Sequence, residues 1–267
     1  MGGQISVRGV THVYTNRYTQ ETVLALEEIS FEVEQGEFVC IIGPSGCGKS
    51  TLLYLIAGLM RPSMGEILVD GRPVTGPGPD RGMVFQEFAI LPWRTVWRNI
   101  SHGLEIQGIP KEKRDEIVRH YIRLIGLEGF ENKYPYELSG GMKQRVALAR
   151  TLACNPKVVL MDEPFAALDV QTRITLRTEL LKISLQLSNT ILFVTHSVDE
   201  AALLGDRVIV LTRRPGRVKE IVGNPIPRAA RDEHTMENPA FIEYRNHLFY
   251  SVRSEVQVAE HEALVRG

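Results

Sequence analysis

The chain has 267 residues, 43% hydrophobic and 24% charged, the balance of an ordinary globular protein long enough to bury a full core. Its 31 basic and 32 acidic side chains leave a net charge of −1, which excludes the broad cationic field of a nucleic-acid or anionic-lipid binder. The longest apolar runs, such as 158–161 and 191–194, are far too short to cross a bilayer, and Cys40, Cys47 and Cys154 form neither a metal-ligand spacing nor a disulfide framework. With no charged-then-apolar leader at its start, the chain is expected unprocessed in the reducing cytosol.

Met1-Gly2 with Ser6 fits the loose pattern for N-myristoylation, but Ile5, Val7, Val10 and Val13 read better as part of a first strand, predicted over 6–14. Further strands are predicted at 29–33, 38–42 and 65–69, with a helix over 49–59. From about 88 to 155 strand signals vanish and helical patterns, 111–125 among them, replace them. Strands return at 158–161, 190–195 and 207–211, alternating with helices at 170–186 and 199–204. That order predicts an α/β fold, a mixed sheet core packed by crossover helices, with an antiparallel β portion early and a helical insert in the middle. Arg213-Arg214-Pro215-Gly216 reads as a turn, and Asn238-Pro239 caps a helix carrying Phe241, Tyr244, Leu248, Val252 and Val256 at helical spacing.

Between the apolar strand 38–42 and the helix beginning at Thr51 lies Gly43-Pro44-Ser45-Gly46-Cys47-Gly48-Lys49-Ser50, which fits G-x-x-x-x-G-K-[ST]. The glycines let the backbone turn tightly and aim successive N–H groups at phosphate oxygens, and the helix N-terminus adds its positive end. Lys49 can charge-pair the β- and γ-phosphates, and the Ser50 hydroxyl can ligate Mg²⁺. A nucleoside triphosphate is the expected ligand.

Val158-Val159-Leu160-Met161 ends in Asp162-Glu163. A strand buried on both faces carries its ligands at its carboxyl end. Asp162 is therefore expected beside the metal and Glu163 within reach of an attacking water. Further back, Leu138-Ser139-Gly140-Gly141-Met142-Lys143-Gln144-Arg145 opens a helix through a Ser-Gly-Gly turn, with Ser139 as N-cap and glycine amides at the positive dipole end. One chain with two anion sites suggests that the second serves a nucleotide held by another copy.

On these residues the chain resembles the ATP-binding cassette (ABC) ATPases, a P-loop fold, across about 6–214. The resemblance implies a head-to-tail pair of cassettes, with ATP and Mg²⁺ between one copy's phosphate loop and the other's signature segment, 138–144. It implies roles for Gln86 (metal or attacking water), Ala166-Ala167-Leu168-Asp169 (the link between the two sites), His196 (γ-phosphate and water) and Tyr14 (stacking on adenine). The implied division is 1–86 with 156–214 for the ATP-binding core and 87–155 for the helical subdomain. Residues 215–267 are then an extension with one amphipathic helix and no separate regulatory domain.

Glu87-Phe-Ala-Ile-Leu-Pro-Trp-Arg-Thr-Val-Trp97 holds more apolar and aromatic side chains than an exposed loop should, and reads either as a contact site or as packing of both tryptophans into the insert. In the family this place receives a short helix of the membrane subunit. Gly78 to Gln86 followed by Leu91-Pro92-Trp93 is most similar to the nitrate/sulfonate/taurine importer group, from which Ile90, Arg94 and Trp97 depart. The resemblance thus implies permease subunits as partners, a solute-binding protein reached through them, and a place on the inner face of the cell membrane. A cassette acting on ribosomes or DNA, and an adaptor that binds ATP without hydrolysing it, are the alternatives. The absence of a cysteine cluster, heptad run or basic patch weighs against the first, and Glu163 with His196 against the second.

Overall fold

The computed structural model describes the backbone of residues 3–16, 18–232 and 234–266, and side chains as far as residue 257. Met1 and Gly2 of the myristoylation pattern lie outside the described residues. The elements run β1 (Ile5–Thr15), β2 (Thr22–Val33), β3 (Phe38–Ile42), α1 (Lys49–Ala57), β4 (Met64–Val69), β5 (Arg72–Pro73) and β6 (Arg81–Val84). Then follow α2 (Val96–Ile106), α3 (Lys111–Leu124), α4 (Gly140–Ala153), β7 (Val158–Asp162), α5 (Val170–Gln186), β8 (Thr190–Val194), α6 (Val198–Leu204), β9 (Arg207–Leu211), β10 (Val218–Gly223) and α7 (Pro239–Arg266).

Two sheets form. One is antiparallel, in the order β2-β1-β4-β5; the other runs β10-β9-β3-β8-β7-β6, parallel except for β10. This is the predicted architecture of a mixed core, an early antiparallel portion and a helical insert.

The pleat of the second sheet sorts its apolar residues into two layers. Val39, Ile41, Leu160, Leu192 and Ile209 face α1 and the first sheet, where they meet Leu52, Leu55, Ile5 and Ile29. Their neighbours Cys40, Met161, Phe193 and Val210 point the other way, onto Leu176 and Leu180 of α5 and Leu204 of α6. Phe241, Tyr244 and Leu248 of α7 join this second layer with Val252 at its margin, so the C-terminal stripe packs on its own chain as far as 252, whereas Val256 is exposed. Helices α2, α3 and α4 enclose a third core around Ile100, Leu104, Val118, Ile122 and Ala149.

Three departures from the predicted elements have local causes. Strand β2 starts at Thr22 rather than 29, and the left-handed Glu28 (φ 51°) breaks the two-residue period that would have announced it. Strands β6 and β10 lie at the sheet's edges; β6 carries charge and glycine, and β10 is half-exposed along its length, so neither reads as an apolar run. Helix α1 ends at Ala57 because Gly58 turns left-handed (φ 77°) against the Gly76 carbonyl, where a Cβ would lie 2.2 Å away.

Candidate nucleotide site

Since β3, β6, β7 and β8 are parallel, their carboxyl ends share one edge, and the loops leaving them build the site. The phosphate loop leaves β3. Gly46 and Gly48 take positive φ (73° and 103°), and a Cβ on Gly48 would come within 2.6 Å of Leu26 in the sheet behind it. Lys49 is buried, and its ammonium donates to the carbonyls of Gly43 and Pro44 at 3.0 Å each. Those bonds hold the charge inside the loop. The Cys47 side chain is fully buried in the layer beneath, so this residue offers a ligand only its backbone.

Asp162, at the end of β7, is 1% exposed and accepts a hydrogen bond from the Ser50 hydroxyl at 2.8 Å. Burial pushes its carboxyl above the usual range, against the opposing pull of Ser50 and Tyr54. The Tyr54 phenol is itself raised to about 12 by burial and by the Asp162 charge. Two oxygens thus converge where a cation would relieve the desolvated carboxylate.

Glu163 sits in the left-handed region (φ 43°), a strained conformation for a residue with a Cβ. Its N–H donates to the Val194 carbonyl at 2.9 Å, which fixes the bend, and its carboxylate lies 3.1 Å from His196 Nδ1. His196 is placed by its neighbour. The Thr195 N–H donates to the Ile41 carbonyl at 3.2 Å, and its buried hydroxyl donates to the Glu200 carboxylate while accepting from the Ser197 N–H. Burial raises the Glu200 carboxyl, with Thr195, Arg173 and Arg177 acting in the other direction.

A cleft of about 260 Å³ opens beside these groups, lined by Tyr14, Val23, Ala25, Arg214, Glu163 and the phosphate-loop residues Ser45, Gly46, Gly48, Lys49, Ser50 and Thr51. The Tyr14 hydroxyl is 3.0 Å from Thr51 Oγ1, which ties the ring to the start of α1. Gly43, Pro44 and Cys47 do not line it; their part is to hold Lys49 and the core. Sequence reasoning missed Val23, Ala25, Tyr54, Thr195, Glu200 and Arg214. Only Thr195, next to His196, had any signal nearby.

The signature segment lies elsewhere. Ser139 caps α4, its hydroxyl accepting from the Met142 N–H at 3.3 Å. Gly140 and Gly141 pack against Leu168 and Thr172 of the loop and helix that follow Glu163. Leu138 is buried in the insert, and Gln144 is fully buried with neither side-chain amide atom partnered among the described residues. None of residues 138–144 lines the cleft.

Gln86 is exposed and borders a separate groove with Phe88, Pro92, Tyr136, Lys143 and Ala167. The two tryptophans divide. Trp97 packs on the insert under the Arg119 guanidinium, 5.8 Å from its ring, whereas Trp93 stands 71% exposed. Asn99, fully buried, shapes the segment between them by donating to the carbonyls of Leu91, Arg94 and Thr95 and accepting from the Leu91 N–H.

Comparison with known proteins agrees with this geometry. Residues 26–166 match the family described as ABC transporter. An uncharacterized ABC transporter ATP-binding protein of Methanocaldococcus jannaschii is 53% identical over 253 residues, spanning 95% of this chain and 92% of the relative. A nitrate import ATP-binding protein of Synechocystis is 48% identical over 246 residues, spanning 92% and 90%. A solved ATP-binding cassette, captured as a dimer in a post-hydrolysis state with ADP and Pi, superposes with a TM-score of 0.71 at 33% identity, covering 82% of this chain and 98% of that one. The chain belongs to the ABC transporter family, and it is an ATP-hydrolysing cassette of that family.

Proposed function

We propose that this ATPase powers a membrane importer for a small solute bearing an anionic group, such as nitrate, a sulfonate or taurine. In this reading two copies pair head to tail, each ATP lying between one copy's phosphate loop and the other's residues 138–144. The observation that carries it is the pairing of Glu163 with His196 beside Ser50 and Asp162, on an edge from which the chain's own signature segment is absent. A second anion-binding helix start outside the cleft has a use if a partner copy brings it in. The 48% identical nitrate import protein supports the solute class.

In the reaction we infer, the phosphates lie along the loop amides and Lys49 turns from the Gly43 and Pro44 carbonyls to their oxygens. Tyr14 stacks on the adenine. Ser50, Asp162 and, once the halves close, Gln86 would hold Mg²⁺, which when bound neutralises charge on the β- and γ-oxygens. The donor set fits: a hydroxyl beside one desolvated carboxylate, with no group of three His, Cys, Asp or Glu among the described residues, suits a hard cation completed by phosphate and water. Glu163 takes a proton from the attacking water, and His196 holds that water and the Glu163 carboxylate in line. Catalysis is positioning and charge stabilisation, so the strain at Glu163 is part of keeping its carboxylate in place.

We further propose that residues 1–86 with 156–214 act as the ATP-binding core and 87–155 as a helical subdomain that moves on closure. Permease subunits dock in the groove between Gln86, Phe88, Pro92 and Tyr136, with the exposed Trp93, next to Pro92 in the chain, as a further apolar contact, and hold the chain at the inner face of the membrane. A solute-binding protein is contacted only through them. Substituting Glu163→Gln tests the core of this reading: ATP binding persists, turnover stops and a closed dimer accumulates on size exclusion. Normal turnover by that variant refutes the base assignment. Mild-detergent purification of the tagged chain from its native membranes tests the partner. A polytopic membrane protein in near-equal amount supports transport; ribosomes, nucleic acid or the chain alone overturn it.

A further inference from the structure

The turn between β9 and β10 is built more firmly than a surface turn requires. Thr212 N–H donates to the Arg217 carbonyl, the Arg217 N–H returns to Thr212 Oγ1, and that hydroxyl also reaches the Pro215 carbonyl at 3.1 Å. Gly216 then joins the turn to β2: its N–H donates to the Ala25 carbonyl at 2.9 Å, and its carbonyl accepts from the Glu27 N–H at 3.0 Å. A Cβ on Gly216 would sit 2.1 Å from the Cys47 carbonyl, so glycine is what lets the turn lie directly on the back of the phosphate loop. A rigid turn pressed on that loop fixes whatever side chain it carries next to the cleft.

Three arginines lie on this turn, and two of them have partners. The Arg217 guanidinium pairs with Glu27 at 2.8 Å, and Arg213 donates its backbone N–H to Glu255 at 3.3 Å. Arg214 is exposed and lines the cleft, and its guanidinium has no hydrogen bond or ion pair among the described residues. The acid in the same lining, Glu163, is already engaged by His196. An unpaired guanidinium, held by a stapled turn beside backbone amides that cradle phosphate, is complementary to a polyanion. Arginine's planar fork binds phosphate oxygens through two N–H groups at once, where a lysine supplies a point charge.

We propose that Arg214 is a further nucleotide-contacting residue, its guanidinium binding oxygens of the ATP phosphate chain. This rests on the reading of the cleft as the ATP site, and it adds a second cation, from the opposite end of the sequence, to the charge Lys49 supplies. Because the contact is made before and after the γ-phosphate is cleaved, it acts on binding more than on the chemical step.

Titration of the intact protein with a fluorescent ATP analogue, together with ATP turnover, tests it. Arg214→Ala is expected to weaken ATP and ADP binding about tenfold and to raise KM with kcat nearly kept, the scale of one charge-assisted contact. Arg214→Lys should recover part of the loss, and Arg217→Ala, on the same turn but already paired, should stay within about twofold of the parent. Melting temperatures separate a misfolded variant from a weakened site. If Lys49→Ala abolishes binding while Arg214→Ala is unchanged, the Arg214 assignment is wrong and the cleft reading stands. If Lys49→Ala also binds normally, the cleft reading fails and takes the assignment with it. An equal loss for adenosine places Arg214 on the base or ribose, which overturns the phosphate assignment.

Discussion

Substituting Gly141→Ala probes how the signature helix is seated. A Cβ there would lie 2.5 Å from Thr172 Cγ2, whereas its other neighbours, Leu176 Cδ1 and Thr172 Cβ, stand at an ordinary 3.9 Å. Relief requires α4 and the start of α5 to part by roughly 1 Å, and overpacking of that kind costs about 1–3 kcal/mol. Alanine's better helix propensity offsets at most about 1 kcal/mol of it. With the full offset the net loss expected is about 0–2 kcal/mol, a fall of up to roughly 8 °C in melting temperature for a chain of this size. Thr172→Ser deletes the one offending methyl and keeps the hydroxyl beside Asp169, so in that background Gly141→Ala should be neutral or slightly stabilising. The coupling, about 1–3 kcal/mol, is read from a double-mutant cycle by thermal denaturation, with ATP turnover measured on all four proteins. If the two substitutions are simply additive, the packing argument is refuted. If stability returns and turnover does not, position 141 matters for more than packing.

Glu200→Ala leaves the buried Thr195 hydroxyl without its acceptor; a stability loss of about 1–3 kcal/mol is expected, with kcat falling further than ATP affinity because His196 loses its anchor. Glu200→Gln, which can still accept, should keep most of both, and parental kcat in the alanine variant would refute the anchoring role. Asp162→Asn is expected to abolish hydrolysis yet leave the nucleotide-free protein as stable as the parent or more so. Burial raises the folded-state pKa of Asp162, so the folded state holds its proton more tightly than the unfolded chain, and stability falls as pH rises through that interval. The advantage of asparagine should therefore be present at neutral pH and fade as the pH drops into the carboxylate range; calorimetry showing a constant difference at every pH would contradict this. Trp93→Ala should leave ATP turnover of the isolated protein unchanged but reduce recovery of a membrane partner, and undiminished recovery would remove Trp93 from the docking surface.

Much of the fold was legible because the second sheet is buried on both faces. Its central strands are apolar through their middles on both faces, and 38–42, 158–161, 190–195 and 207–211 stand out as short runs rich in β-branched residues. Strands with one wet face or an edge gave less. Half of β2 is interrupted by a left-handed residue, and β10 shows only every second side chain to the protein, so neither carries the unbroken run that identifies a central strand. The long C-terminal helix announced itself through Phe241, Tyr244 and Leu248, whose spacing matches the layer they fill.

Site residues were legible to the degree that their chemistry is local. Gly46, Gly48, Lys49 and Ser50 act through one turn of backbone, and the structure brings them together with Asp162, Glu163 and His196 because three parallel strands end on one edge. Glu200 and Arg214 act only through what tertiary contact places beside them. Nothing in Val-Asp-Glu-Ala-Ala says that the glutamate turns back to hold Thr195, and nothing in Arg-Arg-Pro-Gly says which arginine remains unpaired. That depends on where the turn sets each side chain, with Arg217 paired to Glu27 from β2 and the Arg213 backbone tied to Glu255 from α7. A residue whose role is set by the pairing of its neighbours has no sequence signature of its own, and the groups to look for around a recognised phosphate loop are therefore the charged side chains that the rest of the structure has left without a partner.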